Sequence, residues 1–383
     1  MNMKITVKGL IISSVFIALV FGLLTLLLGT TNLNDFFANA QNNTHDSSQP
    51  PSLSDVYEMF KRGDFETGLI SLNMILDNNP NDVPAIYYKG IALGELGKNE
   101  EAIQQYDKVI AIDPNNVGAL NYKGMALHNL GNHQEAIHQY DKALVIDPNH
   151  VGALNNKGLV LSELGKNEEA IQQYDKALAI DPNQVETVYN KGIALYNLGN
   201  HQEAIQQYDK VIAIDPNDVD ALNNKGIALG ELGKNEEEIQ QYDKVIAIDP
   251  NDVDALNNKG IALGELGKNE EAIQQYDKVI AIDPNYLNAL NNKAFALSEL
   301  GKNEEALSII SPVVEINPNN EDYLSTIAFI LYNLGRYEEA KSYYSDAIAV
   351  NPDLIESLSN KEVIAYNELI GPANLTSVNV LRD

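Results

Sequence analysis

The most constraining feature of the sequence is the regular recurrence of proline. Proline stands at nine positions separated by an unbroken 34 residues: Pro80, Pro114, Pro148, Pro182, Pro216, Pro250, Pro284, Pro318 and Pro352. Repeats of this length are single supersecondary elements that cannot bury an apolar face alone and must stack on their neighbours. The chain is therefore expected to form a quasi-one-dimensional array instead of a domain with one central core.

Each repeat is predicted to contain two amphipathic helices. In residues 117–150 small and apolar side chains recur at helical spacing in two groups, Leu120, Gly124 and Leu127, then Ala136, Tyr140, Ala143 and Leu144. Gly131 separates the groups, where the chain must reverse and a residue free to take positive φ is favoured. Asn99 and Asn167 are predicted to cap the second helices of their repeats. Pro148 is expected to end one repeat and to enter the first turn of the next.

Small and aromatic residues recur at fixed positions of the 34-residue repeat. Glycine recurs at position 8 of the repeat, as Gly90, Gly124, Gly158, Gly192, Gly226 and Gly260. Alanine recurs at position 20 and tyrosine at position 24, as Ala102, Ala136, Ala170, Ala204, Ala272, Ala306 and Ala340, and as Tyr106, Tyr140, Tyr174, Tyr208, Tyr242, Tyr276 and Tyr344. These residue types at these positions resemble those of the tetratricopeptide repeat (TPR), in the multi-repeat form of prokaryotic proteins. The resemblance covers residues 49–370 and implies an all-α, right-handed superhelical solenoid of helix-turn-helix repeats.

The same resemblance divides the chain into segments. Nine 34-residue repeats are predicted over residues 49–354, the first of them degenerate. A capping helix is predicted over residues 355–371, because this stretch repeats only the first half of the pattern. Residues 372–383 form a tail.

Glu238 departs from the pattern at position 20. A small residue that faces Gly226 is expected there, and a carboxylate confined at a close helix contact lacks water. The sequence therefore predicts that Glu238 destabilises its repeat. The repeats 219–252 and 253–286 otherwise differ only at Asp252, which is replaced by Tyr286.

Charge and composition limit the function. The chain has 54 acidic and 26 basic residues and a net charge of −28, which repels phosphate backbones, so no nucleic-acid partner is predicted. Without cysteine, neither a disulfide nor a thiolate metal site can form. No nucleophile elbow, zinc-binding helix motif or phosphate loop is present. The chain is predicted not to be an enzyme and to need no cofactor.

No metal site is predicted either. His128, His133 and His138 lie in one repeat, but steps of five residues around one helix do not converge on a single ion. A superficial calcium-loop pattern comprises Asp215, Asn217, Asp218 and Asp220. Pro216 interrupts it, and the glycine and the final glutamate of such a loop are missing.

The N-terminus determines the predicted location. Lys4 and Lys8 precede an apolar stretch over residues 9–29, which is long enough to span a bilayer with the N-terminus inside. Residues 1–40 are therefore predicted to be a signal peptide or an N-terminal membrane anchor. The small residues Ala38 and Ala40 favour cleavage, and the length of the stretch favours an anchor. Both alternatives predict an extracytoplasmic protein, secreted or attached to the membrane through residues 9–29.

Polar segments flank the repeats. Residues 41–52 are predicted to be a flexible linker because they lack apolar periodicity. Asn42 in the linker and Asn374 in the tail begin candidate glycosylation sequons.

The first helices of the repeats carry the candidate binding residues. In TPR proteins these helices line a concave surface that binds extended peptides, and asparagine there offers both a donor and an acceptor to a peptide backbone. The asparagines are Asn121, Asn155, Asn223, Asn257 and Asn291, beside an apolar series of Ile91, Met125, Leu159, Ile193, Ile227 and Ile261. Asp220, Glu231, Asp254 and Glu265 add negative charge and predict a preference for basic peptides. The alternative is that the Asn and Lys side chains of this face are merely solvated, with the lysine stems covering apolar neighbours.

These observations predict an extracytoplasmic scaffold or adaptor that binds other proteins through extended segments. The alternative function is a self-associating structural component of the cell envelope, and a third is a regulatory subunit of an enzyme.

Overall fold

A computed structural model describes residues 51–356 and 358–370 of the chain. All regular structure in these ranges is helical, with nineteen α-helices and one short 3₁₀ helix, so the predicted all-α repeat fold is confirmed. None of the described helices is both long and apolar enough to cross a bilayer. The predicted leader over residues 1–40, the sequon asparagines Asn42 and Asn374 and the tail over residues 372–383 lie outside the described residues.

The chain divides into two compact bodies between Leu198 and Gly199. The N-terminal body is described from residue 51 and contains α1 (Leu53–Lys61), α2 (Phe65–Asn78), α3 (Val83–Glu95), α4 (Asn99–Ile112), α5 (Val117–Asn129), α6 (His133–Ile146), α7 (Val151–Glu163), α8 (Asn167–Ile180) and α9 (Val185–Asn197). Consecutive helices pack against each other along this body. Odd-numbered helices up to α17 are the first helices of their repeats, and even-numbered helices are the second helices.

The C-terminal body contains α10 (His201–Ile214), α11 (Val219–Glu231), α12 (Asn235–Ile248), α13 (Val253–Glu265), α14 (Asn269–Ile282), α15 (Leu287–Glu299), α16 (Asn303–Ile316), α17 (Glu321–Asn333), α18 (Tyr337–Val350) and α19 (Asn360–Ile370). The segment predicted to be a capping helix over residues 355–371 begins with a 3₁₀ helix at Leu354–Glu356, and α19 starts only at Asn360. Helix α19 packs on α17 and α18, where Tyr366 meets Tyr344 edge to face at 5.8 Å between ring centroids.

Glycine ends the first helix of each repeat, as the turn between α5 and α6 illustrates. Gly131 has φ +76°, and its N–H donates to the carbonyl of His128 at 2.8 Å. The N–H of Asn132 donates to the carbonyl of Leu127 at 2.9 Å. This pair of bonds satisfies two carbonyls at the end of α5 and reverses the chain, which is why a residue tolerant of positive φ is required.

The caps differ from those that the sequence predicts. Asn99 and Asn167 are the first residues of α4 and α8, and the N-caps are Lys98 and Lys166, which make no side-chain capping bond. Side-chain caps occur instead at most of the first helices, though not at α9 and α15, through the last residue of the preceding repeat, as in the 2.8 Å bond from the Ala221 N–H to Asp218 Oδ1. The prolines precede this cap and therefore lie in the connecting turn, not in the first turn of the helix.

The two helices of a repeat approach most closely where glycine at position 8 faces tyrosine at position 24. A Cβ added to Gly158 would lie 2.5 Å from Cε1 of Tyr174, and the Tyr174 side chain is fully buried. The ring thus occupies the space that any larger residue would need. Buried aromatic surface of this size is a major source of packing free energy in each repeat.

Glu238 occupies a different place from the one predicted. Its carboxylate lies against Gly230, where an added Cβ would be 2.8 Å from Glu238 Oε2, because the ring of Tyr242 already covers Gly226. The side chain is 1 % exposed, so the predicted burial of the carboxylate is correct. Burial, followed by the negative charges of Glu265 and Glu231, raises the pKa of Glu238 to about 8, although a hydrogen bond from Tyr242 opposes the shift.

Replacement of Glu238 by alanine is expected to stabilise the array at high pH. The folded state holds a proton on Glu238 up to about pH 8, whereas the unfolded chain releases it near the ordinary value of 4.5, so the stability of the native sequence falls as pH rises between these values. Glu238→Ala should raise the free energy of unfolding by about 1 to 3 kcal/mol at pH 8 and by much less at pH 5. Urea denaturation at both pH values measures this difference.

The control is Glu237→Ala, because Glu237 is exposed on the same turn of α12. It should leave the urea midpoint nearly unchanged at both pH values. A gain for Glu238→Ala that is independent of pH, or no gain at all, would show that the carboxylate reaches water in solution.

Candidate functional site

The asparagines of the candidate site lie on first helices, and most of them are buried. Asn121 and Asn155 in the N-terminal body and Asn257 and Asn291 in the C-terminal body are buried, and Asn223 is half-buried. Their positions on the helices follow the predicted register. Their side chains therefore offer little area to an external ligand.

Hydrogen bonds between neighbouring repeats explain this burial. The amide of Asn156 donates to Asn121 Oδ1 at 3.1 Å, and the amide of Asn292 donates to Asn257 Oδ1 at 3.1 Å. Each bond joins a first helix to the first helix of the next repeat, 35 residues along the chain. These asparagine oxygens hold adjacent repeats in register, because an unpaired buried acceptor would cost free energy.

Asn155 makes more hydrogen bonds to the next repeat than Asn121 and Asn257 do. Its Oδ1 accepts from Thr187 Oγ1 at 3.0 Å and from the amide of Asn190 at 3.3 Å, and its own amide donates to Glu186 Oε1 at 3.3 Å. Burial raises the pKa of Glu186, and the bond from Asn155 opposes that shift. This asparagine organises the contact between α7 and α9.

Two asparagine oxygens differ from the rest. Asn223 Oδ1 and Asn291 Oδ1 are buried and accept no hydrogen bond from the described residues. Asn223 is also the half-buried member of the series. Of the predicted asparagines, Asn223 is the one that is half-buried and whose Oδ1 accepts no hydrogen bond from the described residues.

Packing within the array buries part of the apolar series on the first helices. Ile91, Ile193 and Ile227 are buried, whereas Met125, Leu159 and Ile261 are half-buried. Ile91 belongs to the core cluster formed around α3. Only the half-buried members retain surface for a ligand.

The four predicted carboxylates remain exposed on α11 and α13. Asp220 and Asp254 lie in the first turns of these helices, and Glu231 and Glu265 are their last residues. Asp254 Oδ1 accepts from the hydroxyl of Tyr286 at 2.8 Å. Partial burial of its carboxyl group raises the pKa of Glu265, a hydrogen bond from Asn235 lowers it and the charge of Glu231 raises it. The charges of Glu231 and Glu265 thus repel each other, which favours a cation between these two side chains.

The lysines next to the asparagines form a ladder of ion pairs. Each pairs with an aspartate of the preceding second helix at 2.5 to 2.6 Å between Nζ and Oδ1: Lys123–Asp107, Lys157–Asp141, Lys191–Asp175, Lys225–Asp209, Lys259–Asp243 and Lys293–Asp277. The sequence interpretation missed this pairing, although both residues recur every 34 residues and are always 16 apart. Six lysines are therefore neutralised locally, and the exposed carboxylates of α11 and α13 are not their partners.

The sequence prediction that the histidines of residues 117–150 lie along one helix is wrong for His128 and His133. His128 lies in α5 and His133 begins α6, so the five-residue step between them runs through a turn and not along one helix. Their rings approach to 5.5 Å between centroids. Glu163 at the end of α7 lies beside both, with its Oε2 at 2.6 Å from His128 Nε2 and 3.9 Å from His133 Nδ1.

Two equivalent asparagines provide a test of the bonds between repeats. Asn257 Oδ1 has a buried partner and Asn223 Oδ1 has none among the described residues, although the two repeats are almost identical in sequence. Asn257→Ala should lower the free energy of unfolding by about 1 to 3 kcal/mol, because it strands the amide of Asn292. Asn223→Ala should cost clearly less. The urea midpoints of the two variants measure this difference. Equal losses of stability would contradict the assigned hydrogen bond between Asn292 and Asn257.

Comparison with known families identifies the repeat. Family models described as "Tetratricopeptide repeat" match residues 117–150, 139–172, 219–252 and 241–274. One described as "TPR repeat" matches residues 90–131, 158–199 and 194–233, and one for the "Psidin, N-terminal TPR repeats region" matches residues 262–366. No curated protein matches the sequence significantly.

Solved structures with the same repeat are also similar. YrrB, "a TPR protein with an unusual peptide-binding site", is 26% identical over 49% of this chain and 97% of its own, with a TM-score of 0.45. A tetratricopeptide repeat protein from Parabacteroides merdae is 20% identical over 64% of this chain and 97% of its own, with a TM-score of 0.47. The APC/C hetero-tetramer Cut9-Hcn1 is 14% identical over 85% of this chain and 64% of that chain, with a TM-score of 0.51 that supports a shared fold.

Proposed function

Because the chain belongs to the tetratricopeptide-repeat family, whose members serve as protein–protein interaction scaffolds, we propose that it binds extended basic segments of other proteins on α11 and α13. Proteins built from these repeats are generally not enzymes. The observation that carries the proposal is the exposure of Asp220, Glu231, Asp254 and Glu265 at the two ends of neighbouring first helices.

The arrangement of charge favours a long cationic ligand over a single small one. Asp220 and Glu231 are eleven residues apart on one helix, which separates them by about 16 Å at the usual rise. An extended peptide covers that distance in about five residues. Between the carboxylates lie Asn223 and the half-buried Ile261, which offer a polar and an apolar contact. A segment with lysine or arginine at intervals fits this pattern.

The location of the scaffold is proposed from the sequence. The apolar stretch over residues 9–29 and the positive charges before it support export, either as a secreted protein or as one anchored with its N-terminus inside. The net charge of −28 keeps such a protein away from nucleic acid and anionic lipid headgroups. The partners are accordingly other extracytoplasmic proteins.

The proposal is tested with a charge-matched pair of variants of the whole chain. In the first, Asp220, Glu231, Asp254 and Glu265 are replaced by Asn or Gln as appropriate. In the control, the exposed glutamates Glu236, Glu237, Glu270 and Glu271 of the second helices are replaced by Gln, which removes the same charge from another surface. Exposed ion pairs contribute about 0.2 to 1 kcal/mol each, so the first variant should bind a Lys/Arg-containing extended peptide about tenfold more weakly.

Salt provides the second measurement in this titration. Raising the salt concentration from about 50 to about 500 mM should weaken binding to the native chain and to the control, and have little effect on the first variant. If both variants lose affinity equally, only the overall charge of the protein matters. If neither does, peptides bind elsewhere and the proposed site is wrong.

Self-association in the cell envelope is the second candidate, and one observation favours it. Position 30 of the second helices carries an exposed isoleucine in repeat after repeat: Ile112, Ile146, Ile180, Ile214, Ile248, Ile282 and Ile316. Recurrent exposed apolar residues can form contacts between copies of a chain. Sedimentation velocity at increasing concentration separates the candidates, since a rising sedimentation coefficient supports assembly and a constant one supports the adaptor.

A further inference from the structure

The cluster formed by His128, His133 and Glu163 has a composition that peptide binding does not require. His128 lies in the last turn of the first helix of its repeat, His133 begins the second, and Glu163 ends the first helix of the next repeat. One potential ligand atom from each residue lies within 4.8 Å of the others. All three side chains are between 18 and 33 % exposed, so the cluster is accessible at the surface but partly shielded from water.

The donor set suits a transition-metal ion. Two imidazole nitrogens and one carboxylate oxygen are ligands that zinc accepts, with a fourth position left for water. His133 Nδ1 is buried and makes no hydrogen bond with the described residues, which leaves a ring nitrogen with no other bonding role. The excess of acidic residues on the chain also favours the approach of a cation.

The present distances fit a site that closes on an ion. Tetrahedral zinc with bonds of about 2.0 to 2.2 Å holds its ligand atoms about 3.3 Å apart. His128 Nε2 and Glu163 Oε2 are 2.6 Å apart and share a hydrogen bond, while His133 Nδ1 and Glu163 Oε2 are 3.9 Å apart. Changes of less than an ångström in these two distances, with all three atoms already within 4.8 Å of one another, would bring them to an ion that replaces the shared proton.

The neighbouring repeats place neutral groups at the same positions. The next repeat has Ser162 and Asn167, whose Oγ and Oδ1 form a 2.9 Å hydrogen bond. At the junction with the preceding repeat, the amide of Asn129 donates to Asn99 Oδ1 at 3.4 Å. Ordinary hydrogen bonds thus suffice to join repeats at this point. The histidines and the glutamate are not needed for the fold.

From this geometry we infer that His128, His133 and Glu163 bind a divalent transition-metal ion of the zinc type, which links two adjacent repeats. Two ligands come from one repeat and the third comes from the next. Binding therefore favours the folded contact between α5, α6 and α7, and the thermal stability of the array rises with the logarithm of the free metal concentration once that concentration exceeds the dissociation constant.

The array itself supplies substitutions that the fold tolerates. His128→Ser, His133→Asn and Glu163→Asn place at each position the residue found at the equivalent point of the next repeat, namely Ser162, Asn167 and Asn197. His138→Gln is the control, because His138 is exposed on α6 and its equivalent is Gln172. Circular dichroism and the thermal midpoint in the presence of a chelator establish that every variant is folded.

The experiment titrates ZnCl₂ into the metal-free full-length chain by calorimetry and follows the thermal midpoint. The native chain and His138→Gln should bind one ion tightly and gain thermal stability. Loss of an outer-sphere partner weakens metal binding by about 10- to 100-fold, and loss of a ligand should weaken it by at least as much. Each ligand substitution should also abolish the zinc-dependent rise in the thermal midpoint.

Substitution of Co²⁺ adds a structural readout, since a four-coordinate ion has intense visible absorption that the three variants should lose. Equal zinc binding by the native chain and all three variants would show that surface carboxylates hold the metal, which overturns the proposal. Absence of tight binding to the native chain would overturn it as well.

Discussion

The array depends on one close contact that recurs in most repeats, in which a tyrosine ring lies against the backbone of a glycine. In the repeat of α7 and α8 this contact joins Gly158 and Tyr174, with no space for a Cβ between them. It brings the two helices together and leaves their remaining faces free to pack on the neighbouring repeats. The stacking that defines the fold requires helix pairs of this uniform shape.

A uniform framework allows chemistry to vary at the junctions between repeats. Ser162 and Asn167 form a hydrogen bond in one repeat, and the equivalent positions of the preceding repeat hold His128 and His133. Glu238 is a variation of another kind, because it introduces an ionisable group into a position that alanine otherwise fills. Differences between repeats are therefore more informative about function than their common residues are.

The period, the helix pairs and the positive-φ glycine turns could be predicted from the sequence because each is encoded within one repeat. The side-chain contacts between neighbouring repeats could not be predicted in this way. Asn155 is buried by residues 31 to 35 positions away, Lys157 pairs with Asp141 of the preceding repeat, and Glu163 joins histidines of another repeat. A register for one repeat places each residue on a helix, but it does not say which neighbour the side chain meets. The predicted asparagine contacts therefore required the geometry of adjacent first helices.

The ladder of lysine–aspartate pairs has a consequence for the length of the chain. Each step uses the same two residues, 16 apart, and the near-identical repeats 219–252 and 253–286 present the same partners to whatever precedes and follows them. Removal or insertion of one complete 34-residue segment here would recreate the lysine–aspartate pair at the new joint. Evolution can thus change the number of repeats one at a time while it keeps the same pair of residues at each contact.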